Sequence, residues 1–121
     1  MLFHVIDDQP IICEFMSSIF HDMGHETRVF NSPVAYLNFL GSDEYTAPAA
    51  VFSDVSMPLM SGYEMIRRVM IEHPDQKFIV ISGKPEIQDE YRNYACMFLN
   101  KPFAVEDLEE IIESLGLQEA A

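Results

Sequence analysis

Four short apolar segments of this chain each lead into polar residues of the kind that bind phosphoryl groups or divalent cations. The residues that follow or close these segments are Asp7 and Asp8, Asp54, Ser82, and Lys101. If the segments are parallel strands of one sheet, these side chains meet at its carboxyl edge, where open α/β sheets bind their ligands. Three carboxylates, a hydroxyl and an amine would then share one pocket.

The three carboxylates favour a hard divalent cation at this edge. Two carboxylates about 4 Å apart repel by roughly 4 kcal/mol at an effective dielectric constant of about 20, so three without a counter-charge would lose stability or become protonated. Oxygen ligands in this number favour Mg²⁺, or Mn²⁺ in its place, and the cluster has no cysteine or histidine for zinc. Lys101 adds a positive charge that either pairs with Asp54 or binds an incoming phosphoryl oxygen.

These groups allow the transfer of a phosphoryl group onto a carboxylate. Asp54 would attack phosphorus, Lys101 and the metal would neutralise the phosphoryl oxygens, and water would later hydrolyse the acyl phosphate. The chain has no GxxxxGK loop and no kinase motif set, so the phosphoryl group must come from another molecule. Each residue alone has a simpler interpretation, because Asp8 could cap a helix and Ser82 could form a turn. Their convergence favours the site.

Composition limits the classes of protein that this chain can belong to. Its 121 residues are 49% hydrophobic, which predicts one folded domain with a real core. A net charge of −13, with only seven scattered basic residues, disfavours direct binding to nucleic acid or to an anionic membrane surface. With no apolar run of membrane-spanning length and no basic leader, a cytoplasmic protein is expected. Cys13 and Cys96 are expected to be buried, reduced thiols.

Strand and helix patterns alternate along the whole chain. Strands are predicted at Leu2–Ile6, His25–Phe30, Ala49–Phe52 running on to Asp54, Phe78–Ile81 and Met97–Leu99. The first predicted helix begins near Pro10 and stops at Gly24, and the second begins at Ser32 and Pro33. The third ends before Pro74, the fourth spans Glu86–Ala95, and the last ends at Gly116. This alternation predicts an α/β fold with a parallel sheet covered by helices on both faces.

As an ordered set, the marked residues resemble the receiver domain of two-component response regulators, the CheY-like superfamily. The markers are Asp7 and Asp8, Asp54, Met57 and Pro58, Ser61 and Gly62, Ser82 and Gly83, and Lys101 to Phe103. The resemblance makes residues 1–116 a receiver domain and residues 117–121 a C-terminal tail or truncated linker. It implies a flavodoxin-like (βα)5 three-layer sandwich with a five-stranded parallel sheet of order 2-1-3-4-5.

The resemblance also implies how the phosphoryl group is accepted and sensed. Asp54 would be the phosphoacceptor, with Ser82 and Lys101 binding the phosphoryl oxygens. Ser82 and the aromatic ring of Phe98 would shift on phosphorylation and switch a partner-binding surface. The peptide bond between Lys101 and Pro102 would be cis.

A magnesium site is implied beside the phosphoacceptor. Asp8 and Asp54 would bind Mg²⁺ directly, Asp7 through a water molecule, and Ser56 through its backbone carbonyl oxygen. The implied phosphoryl donor is a sensor histidine kinase or a histidine phosphotransfer protein, and the output partner is unknown. Such a domain is no enzyme beyond a slow self-dephosphorylation.

Two other functions remain open at this stage. A degenerate receiver that acts as a phosphorylation-independent interaction module is suggested by Phe98, where tyrosine is common, and by the short separation of Lys101 from Ser82, 19 positions. A magnesium-dependent phosphatase acting through an aspartyl phosphate usually needs a second acid two residues after the nucleophile. This chain has Ser56 at that position, which disfavours the phosphatase.

Overall fold

A computed structural model of the protein describes residues 1–55, 62–83 and 97–120, with side chains as far as residue 116. Its strands are β1 Leu2–Ile6, β2 Glu26–Phe30, β3 Ala50–Asp54, β4 Phe78–Ser82 and β5 Met97–Asn100. Its helices are α1 Pro10–Asp22, α2 Pro33–Leu40, α3 Gly62–Glu72 and α4 Val105–Ala120. The five predicted strands are therefore confirmed, whereas the helix predicted across 86–95 lies outside the described residues.

The strands form one parallel sheet of order β2-β1-β3-β4-β5, which confirms the flavodoxin-like topology. Its register aligns the carboxyl ends of the central strands. Ile6 pairs with Ser53, Asp54 pairs with Ile81, and Ser82 pairs with Asn100. The polar residues that end or follow these strands are therefore neighbours at one edge, as the sequence predicted.

Two apolar clusters cover the two faces of the sheet. On one face α1 and α4 pack against alternate residues of the strands, and on the other face α2 and α3 do the same. We call the second of these the α2–α3 cluster; its buried members are Ile6, Tyr36, Phe39, Leu40, Val51, Val55, Met65, Ile66, Val69, Phe78 and Val80. Every residue of β3 and β4 is buried, which is why these strands are almost continuously apolar.

Local sequence signals account for most of the helix ends. Pro10 lies in the first turn of α1, and Gly24, with φ of 85°, follows its end in the left-handed conformation that glycine tolerates best. Ser32 caps α2, because its hydroxyl accepts a hydrogen bond from the Ala35 N–H at 3.1 Å. At the start of α3, a Cβ on Gly62 would lie 2.7 Å from the Val55 Cα, so only glycine allows this close approach.

The predicted end of the last helix at Gly116 is wrong, because α4 continues to Ala120. Among the described glycines only Gly24 has a positive φ, so Gly116 does not adopt the left-handed conformation that stops a helix. The residues after it, Leu-Gln-Glu-Ala, are good helix formers. Even with this extension, none of the helices in the described ranges has the length and apolar character that crossing a bilayer requires.

Candidate functional site

An acidic cluster lies at the carboxyl edge of the sheet. Asp7 directly follows β1, and Asp54 is the last residue of β3. One carboxylate oxygen from each of Asp7, Asp8 and Asp54 lies within 4.8 Å of the others. Asp7 is 0% exposed and Asp54 5% exposed, whereas Asp8 faces solvent. The cluster therefore has a buried floor and an accessible rim.

Lys101 provides the counter-charge of this cluster. Its Nζ donates hydrogen bonds to Asp7 Oδ2 and to Asp54 Oδ2, each at 3.0 Å. The backbone N–H of Lys101 donates to the Ser82 carbonyl oxygen at 2.9 Å, and the following bond to Pro102 is cis, as the resemblance implied. The sequence suggested a pair with Asp54, and the structure adds Asp7 as a second partner.

Burial and charge act in opposite directions on the ionisable groups of this site. Burial raises the pKa of the Asp7 carboxyl, helped by the charge of Asp54 and opposed by hydrogen bonds from the Gln9 N–H and Lys101. Burial alone would lower the pKa of Lys101, but its hydrogen bonds to the two carboxylates prevail and raise it. Lys101 therefore stays charged, and a further cation would stabilise the carboxylate form of Asp7.

Backbone contacts around β1 hold Asp7 in place. Its Oδ1 accepts a hydrogen bond from the Gln9 N–H at 2.9 Å, and its carbonyl oxygen accepts one from the Cys13 thiol at 3.4 Å. The N-cap position of α1 is occupied by Gln9 without a side-chain cap, so the interpretation of Asp8 as the helix cap is wrong. The sequence reasoning missed the contact from Asp7 to Gln9, a turn in which an aspartate binds the backbone two residues on.

The remaining predicted site residues are Ser82, Phe98 and Ser56. Ser82 ends β4 and is 4% exposed, and its carbonyl oxygen accepts the hydrogen bond from the Lys101 N–H. Ser82 therefore lies at the same edge. Phe98 lies in β5, half-buried, and packs against the α2–α3 cluster. Ser56 lies outside the described residues. The structure thus brings together three carboxylates and the lysine, with Ser82 beside them.

The donor set fits a divalent cation. Three carboxylates against one ammonium leave an excess of negative charge that one divalent ion would neutralise. All the side-chain ligands are oxygens, which suit Mg²⁺ or Mn²⁺ better than softer metals. Because Asp8 is exposed, the cluster is also open to a phosphoryl group arriving from solvent.

The fold and the site together define a doubly wound α/β protein with an acidic, lysine-bearing pocket at the carboxyl ends of its strands. The model of the response regulator receiver domain matches residues 3–113 of the chain. The chain therefore belongs to the response regulator receiver domain family.

Individual relatives agree with this family. The chain is 32% identical over 108 residues to the response regulator protein TmoT of Ectopseudomonas mendocina, covering 87% of this chain and 48% of the relative. It is 25% identical over 114 residues to the transcriptional regulatory protein FixJ of Bradyrhizobium diazoefficiens, covering 92% and 54%. The chain thus spans about half the length of these curated relatives. A CheY-like receiver domain protein from Methanospirillum hungatei shares the fold, with a TM-score of 0.84, 24% identity, and coverage of 98% and 96%.

Proposed function

We propose that this chain is the phosphoacceptor receiver domain of a cytoplasmic two-component phosphorelay. It takes a phosphoryl group from a histidine kinase or a histidine phosphotransfer protein onto Asp54, with Mg²⁺, and thereby switches a partner-binding surface. The observation that supports this most is the position of Lys101, whose amine contacts Asp7 and Asp54 at 3.0 Å each. The chain is a regulatory module, with slow self-dephosphorylation as its only turnover.

The proposed transfer would use Asp54 as the nucleophile and Lys101 as the cation beside it. A carboxylate oxygen of Asp54 attacks the phosphorus, and the new O–P bond forms as the N–P bond of the phosphohistidine breaks and returns its electron pair to the imidazole. Lys101 already donates to Asp54 Oδ2, and its amine can turn to a phosphoryl oxygen while it keeps Asp7. Water later attacks the phosphorus, which restores the Asp54 carboxylate and releases inorganic phosphate.

The metal would be held by the acidic cluster. Asp8 and Asp54 would bind it directly, Asp7 through water, and Ser56 through its carbonyl oxygen. When bound, Mg²⁺ neutralises charge on the carboxylates and the phosphoryl group. The close approach of the three carboxylates supports this assignment.

The switch would run through the neighbouring strands β4 and β5. Ser82 pairs with Asn100 and Val80 pairs with Phe98 in the register of these strands. A Ser82 hydroxyl drawn toward the phosphoryl group would therefore displace the backbone that pairs with β5. Phe98, which is only half-buried, could follow this displacement and change the outer surface.

Labelling with acetyl phosphate tests the phosphoacceptor. With Mg²⁺, intact-mass spectrometry should find one phosphoryl group on the wild-type chain, none after Asp54→Asn, and none with EDTA. The matched control is Asp43→Asn, which removes an exposed aspartate from the loop after α2 and should be labelled like the wild type. An adduct that persists in Asp54→Asn would refute the assignment of Asp54, and no adduct in any variant would refute the function.

A degenerate receiver is the second candidate, because Phe98 offers no hydroxyl and packs against the α2–α3 cluster. Beryllofluoride, a mimic of the phosphoryl group, separates the two candidates in backbone amide NMR spectra. An intact switch should shift the amides around Ser82 and Phe98 as well as those around Asp54. A degenerate receiver should leave the first two regions unshifted. Turnover of a generic phosphomonoester would instead support the phosphatase.

A further inference from the structure

A second group of buried polar atoms surrounds His4 of β1. His4 is 0% exposed, and the rings of Phe30, Tyr36, Phe39 and Tyr45 lie 5.5–6.0 Å from its own. Its Nδ1 lies 2.8 Å from the Tyr36 hydroxyl. Within the described ranges, His4 Nε2 has no hydrogen-bond partner, and neither does the equally buried Tyr45 hydroxyl.

Two unpaired polar atoms in one aromatic cluster point to a shared partner. Buried donors and acceptors are almost always paired, either within the protein or with ordered water. The His4 and Tyr45 rings meet edge to face with centroids 6.0 Å apart. One water molecule with hydrogen bonds of about 2.8 Å spans polar atoms up to about 5.6 Å apart, so a bridge requires His4 Nε2 and the Tyr45 hydroxyl to lie within that distance of each other.

We propose that one internal water molecule bridges His4 Nε2 and the Tyr45 hydroxyl, completing a buried hydrogen-bonded chain from Tyr36 through His4 to Tyr45. In this chain the Tyr36 hydroxyl donates to His4 Nδ1, and His4 Nε2–H donates to the water. The opposite tautomer would leave the Tyr36 hydrogen without an acceptor, because among the described residues its hydroxyl contacts only His4. The water binds the Tyr45 hydroxyl at its other side.

The surroundings of His4 keep its imidazole neutral, with one nitrogen as donor and the other as acceptor. Burial lowers the pKa of His4 to about 4, helped by the positive charge of Arg28. Arg28 pairs with His4 in the register of β1 and β2, and its guanidinium lies 5.1 Å from the centre of the Phe39 ring. Tyr45 stacks on His73 at 5.0 Å, and burial and the charge of Glu72 raise the pKa of its hydroxyl. Burial also raises the pKa of the Tyr36 hydroxyl, so both tyrosines stay neutral.

The bridge would tie the loop that carries Tyr45 to the strand that leads into Asp7. Tyr45 belongs to the segment between α2 and β3, and His4 lies three positions before Asp7 in the sequence. The water would add a second polar link between this segment and β1, beside the hydrogen bond that the Ala49 N–H donates to the Leu2 carbonyl oxygen at 2.8 Å. This inference does not depend on the phosphoacceptor function.

A double-mutant cycle measures the bridge through the folding equilibrium constant. Tyr45→Phe should lower it by about tenfold, because the water loses one partner, and His4→Leu should lower it further, because the Tyr36 hydroxyl also loses its acceptor. The double variant should fold better than the product of the two losses by at least about fivefold. The matched control pair, His4→Leu with Tyr63→Phe in α3, should be multiplicative. Multiplicative effects of His4→Leu and Tyr45→Phe would refute the bridge.

A second test uses the wild-type chain, so it does not require any variant to fold. A high-resolution crystal structure should show one water within hydrogen-bond distance of His4 Nε2 and the Tyr45 hydroxyl. Long-range ¹H–¹⁵N NMR spectra should show the Nε2–H tautomer of His4, with a cross-relaxation signal from that hydrogen to water. A protein atom against Nε2, a Tyr45 hydroxyl turned to solvent, or the Nδ1–H tautomer would each overturn the proposal.

Discussion

The two buried polar regions of this molecule both involve β1, but they accommodate polarity in opposite ways. At the carboxyl edge, the carboxylates of Asp7 and Asp54 are matched by the ammonium of Lys101. In the aromatic cluster, His4 contacts a hydroxyl and aromatic rings. A buried charge needs a counter-charge, whereas a buried neutral group needs only hydrogen bonds. The first region is therefore suited to receive further charge, and the second is suited to exclude it.

The two regions therefore have different roles: the carboxyl edge is suited to binding, and the His4 region supports the fold. Gathered carboxylates lower stability until a cation joins them: burial raises the pKa of the Asp7 carboxyl, and the charge of Asp54 adds to this effect. Such a cost is typical of a binding site rather than of a core. Burial and the charge of Arg28 lower the pKa of His4 and keep its imidazole neutral, so the contribution of His4 is to hold β1, β2 and the Tyr45 loop together. Metal should therefore act on the carboxyl edge, whereas acid should destabilise the protein through His4.

The largest expected effect is acid destabilisation through His4. Because its pKa falls from 6.5 to about 4 on folding, the unfolded chain takes up a proton first. The stability that neutral His4 gives is present above pH 6.5 and is lost as the pH falls toward 4, by up to about 3 kcal/mol. Urea unfolding between about pH 7 and pH 4.5 measures this slope. His4→Leu should remove this part of the slope, and the exposed-residue control His21→Gln should keep it. Equal slopes in all three proteins would contradict the assignment.

Magnesium should act on the carboxyl edge alone. With free Mg²⁺ at about a hundred times its dissociation constant, binding to the folded state should add about 2.7 kcal/mol to the free energy of unfolding. Thermal unfolding with Mg²⁺ or with EDTA measures the gain. Asp8→Asn removes the exposed carboxylate of the acidic cluster and should abolish most of the gain, whereas Asp43→Asn should keep it. A full gain in Asp8→Asn would place the metal elsewhere.

Removing the counter-charge should destabilise the metal-free protein by about 2 kcal/mol. Lys101→Met leaves the buried Asp7 and Asp54 facing each other, but protonation of Asp7 relieves part of the usual penalty for an unpaired buried charge. Urea unfolding at about pH 7 measures the loss, and Mg²⁺ should restore part of it. Lys77→Met, at the opposite edge of the sheet before β4, should cost less. An unchanged stability in Lys101→Met would mean that the ion pairs contribute nothing.

The framework of this site could be read from the sequence because it depends on repeated local patterns. Apolar runs located the five strands, and the parallel topology then placed their carboxyl ends at one edge. Once Asp7, Asp54 and Ser82 were recognised at strand ends, their convergence followed from the register alone. The positions of Ser32 and Gly24 likewise followed from capping chemistry.

The pairing of side chains could not be read in this way. Lys101 and Asp7 are 94 positions apart, and nothing local shows that one amine contacts two carboxylates. His4 reads as one polar residue within an apolar run, so its contact with Tyr36, 32 positions away, was not anticipated. The end of α4 was misplaced because a glycine stops a helix only where it adopts a left-handed conformation, and a residue type does not reveal its φ.

The smallest expected effect concerns Phe98 on the edge strand β5. Its ring packs against the α2–α3 cluster, whereas its strand runs on toward Lys101. Phe98 is also one of the residues that line a groove with Asp107 and Ile111 of α4. Because it is half-buried, the added hydroxyl of Phe98→Tyr can reach solvent, and stability should change by less than about 0.5 kcal/mol. The rate of Asp54 labelling by acetyl phosphate should stay unchanged, since Phe98 pairs with Val80 and its ring packs against the α2–α3 cluster. A changed labelling rate with unchanged stability would show that the hydroxyl missing here matters to the acceptor site.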